Sequence, residues 1–284
     1  MVTIGFRAQK EWVSERPPAI FVGTLAPAIY IVSLFYGIGI GLLIAWILVV
    51  VKLLILYGFT ANKAHQKYVV NRWRTSWVSR GAAGLVLFLL FAGLYILGVN
   101  VAGIKVITYP PAIQGVLFAL SLITAGFIMI YDGFVQAVNK PITFWANGSL
   151  PIIFVSEAAF SGILFVDSLV PSLISNNLPY ADITLTLLAY SLSLQLWTSN
   201  NNDVAGREAV RKLIKGELSG FFWAAVTLLL ILPAILTNIA PYYTPIIYID
   251  TALTLIGMYL MIYSIIRVGI YKPLIYPWSY PARV

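Results

Sequence analysis

Residues 25–51 contain no Asp, Glu, Lys or Arg, and neither do residues 218–240. An apolar run of about 20 residues is long enough to cross the hydrocarbon of a bilayer as a helix. The whole chain follows suit: it is 60% hydrophobic and 10% charged, with a mean hydropathy of +0.90. A soluble domain carries about 25% charged residues. These runs predict an all-α polytopic transmembrane helix bundle of seven, possibly eight, helices. They leave no room for a sizeable domain outside the membrane, since 284 residues are consumed at about 20 per span plus loops.

The chain has no cysteine and one histidine, His65. It therefore offers no thiolate for an iron–sulfur cluster and no thiol for a disulfide or redox couple. A haem held between two imidazoles is excluded within the chain. The net charge of +8 does not point to nucleic acid, because the cations stand in loops between hydrophobic segments, as the positive-inside rule describes. Residues 1–15 are mixed, with Arg7, Lys10, Glu11 and Glu15 interrupting any signal-peptide core. His65, in a basic loop, reads as a solvated residue.

The spans read as about 24–51, 81–99, 111–137, 149–173, 180–198, 218–239 and 245–268. An amphipathic segment, 1–23, precedes the bundle, 24–268, and a tail, 269–284, follows it. Prolines at 17–18, 110–111, 141, 179, 241 and 245 fall outside the spans or at their ends, where they are tolerated. Apolar character extends from Pro18 to Phe59, which suits one long tilted helix or a hairpin near Gly37–Gly41. One helix is the expectation, with Gly37, Gly39 and Gly41 serving close packing. Alternating the loops then puts thirteen cations on one side and four on the other, with Lys52 at a helix end where it can snorkel. That places the protein in the cell membrane with its N-terminus outside and its C-terminus in the cytoplasm. Tyr30 and Tyr180 would join the outer aromatic belt, Trp145 and Trp197 the inner one.

Polar side chains inside these spans are the candidates for chemistry, because an ionised group in hydrocarbon is costly and usually faces a bundle interior. At about 100° per residue, Gln114, Ser121 and Asp132 fall on one line of the helix over 111–137, with Thr124 and Tyr131 nearby. Ser121 and Thr124 suit hydrogen bonding between helices. Asp132 is a carboxylate within the span. Glu157, Ser161 and Ser168 share a face in the next helix, with Asp167 beside it, and Glu157 must be protonated, paired or hydrated there. Asp250, Thr254, Gly257, Met261 and Ser264 share a face in the last helix, which suits packing, with Asp250 interfacial. Asp182, Thr186, Tyr190 and Ser193 form a similar face, read as packing too. No phosphate loop, metal-ligand cluster or nucleophile triad is present.

Tyr131-Asp132-Gly133-Phe134, Phe144-Trp145-Ala146-Asn147, Leu150-Pro151, Phe154, Ser156 and Gly162 together resemble the polysulfide reductase membrane subunit family, the NrfD type. Ser76-Trp77-Val78-Ser79-Arg80-Gly81-Ala82 upstream, with Tyr30 and Leu34-Phe35-Tyr36-Gly37, extends the resemblance over about residues 30–165. The resemblance implies eight helices and a haem-free subunit that exchanges electrons with a menaquinone-type quinone. It also implies partners: a ferredoxin-like iron–sulfur subunit and a catalytic, molybdopterin-type subunit. Tyr131 is the quinone contact carried over, with Gln114 and Tyr36 as further candidates. Asp132 and Glu157, at positions more often small and neutral in the family, are read from burial as proton-transfer residues. The expected function is a quinone/quinol-binding membrane anchor of a multisubunit oxidoreductase in sulfur-compound respiration, with no iron–sulfur cluster of its own. The same carboxylates would also suit a proton-coupled small-solute transporter or channel, and a scaffold with no ligand is a third reading.

Overall fold

The computed structural model describes residues 7–8, 16–58, 74 and 76–271. The long helices are α1 (Arg16–Tyr36), α2 (Gly39–Gly58), α3 (Trp77–Leu97), α4 (Pro111–Ala137), α5 (Ser149–Leu169) and α6 (Ile174–Asn202). A short amphipathic α7 (Val204–Ile214) leads into α8 (Ser219–Ile239) and α9 (Ile246–Arg267). Among the described residues, seven helices are long and apolar enough to cross a membrane: α1 to α5, α8 and α9. The chain is thus an all-α bundle, as its composition predicts. His65 lies outside the described residues, as do the rest of 59–73 and residue 75.

The seven are not the expected seven. The run expected as one helix over 24–51 is a hairpin of α1 and α2, and α1 already begins at Arg16 within the segment expected to be an amphipathic tail. Gly37 sits at φ +67°, the left-handed conformation that glycine adopts without strain. Ile38 N–H donates to Ser33 C=O at 2.9 Å and Gly37 N–H to Leu34 C=O, which closes the α1 terminus in a Schellman motif. The turn needs no polar residue, so nothing in the hydropathy marks it. Conversely, the expected span over 180–198 belongs to α6, whose Asn, Ser, Asp and Gln content sets it apart from the other long helices. Pro179 lies inside α6 rather than before it.

Eight long helices bring residues 7–8 and 270–271 to one end of the bundle. Ala8 bridges Ile270, and Tyr271 N–H donates to Arg7 C=O at 3.0 Å. Residues 7–8 and 270–271 thus lie together at that end. The 138–148 loop joins the same end: Ile142 bridges Tyr271, and Trp145 Nε1 donates to Ile265 C=O at 2.8 Å. Thr143 Oγ1 donates to Asp203 Oδ2 at 2.8 Å, while Asp203 caps α7 through Gly206 N–H. Trp145 and Tyr30 are fully buried, not belt residues.

Helix α5 is the hub, packing against α1, α4, α6 and α9. Small residues let it approach them. A Cβ on Gly162 would meet Ala28 of α1, and one on Gly133 of α4 would meet the Pro151 backbone at the start of α5. Residues quoted for the family resemblance thus hold helix contacts here. Opposite α9, the α8 helix opens into a π segment at Thr227–Ile231, where Gly257 approaches the backbone of Leu228 and Leu229.

Candidate functional site

Lys52 is not at a helix end. It stands within α2, 1% exposed, and its Nζ meets Asp132 Oδ2 of α4 at 2.6 Å. The space for it exists because residue 23 of α1 is glycine: a Cβ there would occupy the Lys52 stem and ammonium. Arg16, at the start of α1, lies close enough for its charge to act on Asp132 and Tyr131. Burying a cation and an anion is costly unless they meet with good geometry. The 2.6 Å contact satisfies that condition.

Tyr131 flanks the pair. Lys52 Nζ lies 5.6 Å from the centre of the Tyr131 ring, within reach of a cation–π attraction. The ring rests on α3 at Gly81, where a Cβ would collide with it. Its hydroxyl makes no hydrogen bond to a described residue, although the side chain is buried. The arrangement joins α1, α2, α3 and α4 at the end of the bundle shared by the termini. It presents an unengaged phenol donor beside a carboxylate–ammonium pair. Of these residues, Tyr131 and Asp132 were legible in the sequence. Lys52, expected at a helix end, could have been placed inside by the apolar run that continues beyond it to Phe59; Gly81 stood in the Ser76–Ala82 motif with no role assigned, and Arg16 and Gly23 have no local signal.

The other candidates lie elsewhere. Gln114 is on α4 but 18 residues from Asp132, about 27 Å along the axis. Sharing a helix face fixes direction, not depth, and Gln114 cannot serve the same headgroup as Tyr131. Tyr36 is also at the opposite end, where its hydroxyl donates to Asn177 Oδ1 at 2.5 Å and Asn177 Nδ2 bonds Asp167 Oδ1. This triad links the ends of α1, α5 and α6. Tyr36 and Gln114 are therefore separated from Tyr131 by most of the membrane thickness.

Glu157 is 0% exposed on α5, and neither carboxyl oxygen has a hydrogen-bond partner among the described residues. Ser161, one turn on, and Thr254 of α9 are likewise buried with unbonded hydroxyls. Thr251 Oγ1 donates to Leu164 C=O at 3.0 Å, so α5 and α9 are in register there, and the antiparallel pairing sets Thr254 level with Ser161. Asp250, near the start of α9, is 0% exposed, and its Oδ2 accepts from Thr237 Oγ1 of α8 at 2.7 Å. On the Asp182–Ser193 face of α6, Asp182 is half-buried and its Oδ1 accepts from Asn238 Nδ2 of α8 at 3.5 Å. Thr186, Tyr190 and Ser193 point outward, while Gln195 and Ser199 on the other face are buried. Gln195 Nε2 bonds Phe144 C=O and its Oε1 accepts from Ser149 Oγ at 2.5 Å.

Comparison of the sequence with protein-family models and with curated proteins gives no match.

Proposed function

We propose that the chain is a haem-free quinone- or quinol-binding membrane anchor of a multisubunit oxidoreductase. The observation that carries the reading is the Tyr131 hydroxyl, which bonds no described residue, beside the buried Lys52–Asp132 pair. A quinone carbonyl needs a hydrogen-bond donor, and Tyr131 has one to give. Reduction to the quinol takes up a proton with each electron. The Lys52–Asp132 pair would supply it, the Asp132 carboxylate taking up the proton of the Lys52 ammonium and passing it to the reduced quinone, and Glu157 is the next carboxyl inward. Electrons would come from a partner, a ferredoxin-like iron–sulfur subunit joined to a catalytic molybdopterin-type subunit, since the chain has no cysteine. The family resemblance supports sulfur-compound respiration as the setting.

The shared end of the termini would face the cytoplasm. Sixteen of the eighteen lysines and arginines belong, by chain connectivity, to segments attached to that end; Lys105 belongs to the other, and Lys52 is internal. This is a stronger positive-inside bias than the sequence alone suggested.

Proton-coupled transport is the competing reading, favoured by Glu157 in the bundle core, which has no partner among the described residues. Purification from native membranes separates them. Iron–sulfur partners and extractable quinone at stoichiometric levels support the anchor. A lone chain, free of quinone, that drives solute uptake in vesicles refutes it.

A further inference from the structure

The outward surface is not uniform, and α6, which packs along α5 from one end of the bundle to the other, is too polar to count among the seven apolar spans. Outward residues of α2, α3 and α4 are aliphatic: Ile47, Val51, Val86, Leu90, Val116 and Ile123 are all exposed. On α6 the outward side instead carries Thr186, Tyr190 and Ser193 between Asp182 and Trp197. At about 100° per residue these five fall within an arc of about 80°. Tyr190 is 68% exposed, and its hydroxyl bonds no described residue.

Depth makes this anomalous. Tyr180 and Trp197, both outward, lie about 26 Å apart along α6, close to the hydrocarbon thickness of about 30 Å, and suit the two aromatic belts. Tyr190 stands between them, about 15 Å from one and 10 Å from the other. A phenol there, facing acyl chains, leaves a polar group without a partner, which costs free energy. Protein cover removes that cost.

The spacing says what covers it. Thr186, Tyr190, Ser193 and Trp197 recur at intervals of four, three and four residues, the seam of two helices packed side by side. Exposed Ala189 and Ser193 keep the seam shallow enough for close approach. The midspan polar groups on it are all hydroxyls, and a hydroxyl both donates and accepts. Across a two-fold axis normal to the membrane, each residue meets its own copy at equal depth. Donor–acceptor groups can satisfy that arrangement; a row of pure donors or acceptors could not. Most soluble homo-oligomers likewise close by such a two-fold.

We propose that the outward face of α6 is a homodimer interface, in which α6 of one protomer packs in parallel against α6 of a second copy through Thr186, Tyr190 and Ser193. The inference is independent of the quinone reading.

Because the chain has no cysteine, single-cysteine variants test it in native membranes. Under mild oxidation, Tyr190→Cys and Ser193→Cys should each form a disulfide-linked homodimer at least several-fold more than Ile123→Cys on α4. Equal, low cross-linking at all three positions would overturn the proposal, as would capture of a different polypeptide at position 190 or 193. A second measurement uses the cysteine-free chain: energy transfer between labelled copies during dilution in lipid vesicles. The Thr186→Leu, Tyr190→Leu, Ser193→Leu variant should raise the dissociation constant at least tenfold. An unchanged constant would refute the interface.

Discussion

Asp132 and Glu157 sit on neighbouring helices, both in the bundle interior, and differ in what answers their charge. Asp132 has an ammonium at 2.6 Å and a second cation nearby; Glu157 has no partner among the described residues. Burial alone would have classed them together. The partner decides what each can do: Asp132 belongs to a fixed electrostatic site, whereas Glu157 is held only by packing and is open to a proton, a water or a ligand. The same contrast separates their energetics. Removing one member of a buried ion pair strands the other, but neutralising a group that has no ion partner strands nothing.

The largest effect should follow from breaking the pair. Lys52→Met leaves Asp132 buried and unanswered, and should lower stability by about 3–5 kcal/mol, measured by unfolding in mixed micelles. Adding Asp132→Leu should recover most of that loss, since an apolar pair of similar volume is often neutral or better. A double variant as unstable as the single one would mean that Lys52 matters for its packing rather than its charge. Next comes the floor beneath Tyr131. Gly81→Ala pushes a Cβ into the phenol ring and should cost about 1–3 kcal/mol, the usual range for overpacking. Gly115→Ala on α4, where nothing lies within 4 Å, is the control and should cost nothing. Glu157→Gln keeps the shape and removes the ionisable proton; its stability should change by less than about 1 kcal/mol. A loss comparable to that of Lys52→Met would erase the contrast by revealing a cationic partner.

The smallest effect belongs to an exposed pair outside the membrane. Arg211 Nε and Nη2 donate to the Glu208 carboxylate at 2.7 and 2.6 Å on α7. Those hydrogen bonds hold the Glu208 carboxyl below its ordinary range. A lowered folded value means the contribution is complete above the ordinary glutamate range and fades as pH falls through the folded one. Glu208→Gln should therefore shift the unfolding midpoint barely at neutral pH, and should flatten the acid limb slightly, as surface pairs are weak.

Much of this architecture was legible in the sequence. The apolar runs specify a membrane bundle, and the α4 and α5 periodicity puts Ser121, Tyr131, Asp132, Glu157 and Ser161 inside it. Two features were not legible, for identifiable reasons. The α1–α2 turn consists of Gly37 and Ile38, and a turn without polar residues leaves no break in hydropathy. That missed hairpin moved Lys52 from a helix end to the interior. The α6 helix misled in the other direction. Its polar residues lie on two faces, one buried through Asn177, Gln195 and Ser199, the other outward through Thr186 and Tyr190. Periodicity identifies a face but not which neighbour it meets. Depth was legible for Gln114, which spacing alone puts about 27 Å from Asp132 along α4, but the missed hairpin hid that Tyr36 ends α1 at that same opposite end.

The central claim is that Tyr131, beside the Lys52–Asp132 pair, holds a quinone headgroup. Titration of a short-chain menaquinone analogue into the purified chain in nanodiscs tests it most directly, with Tyr131→Phe compared against wild type and Glu157→Gln. Losing one hydrogen bond is worth about 0.5–1.5 kcal/mol, so Tyr131→Phe should weaken binding several-fold while Glu157→Gln leaves the affinity unchanged. Equal affinity in wild type and a normally folded Tyr131→Phe variant would contradict the account and move the site away from this end of the bundle.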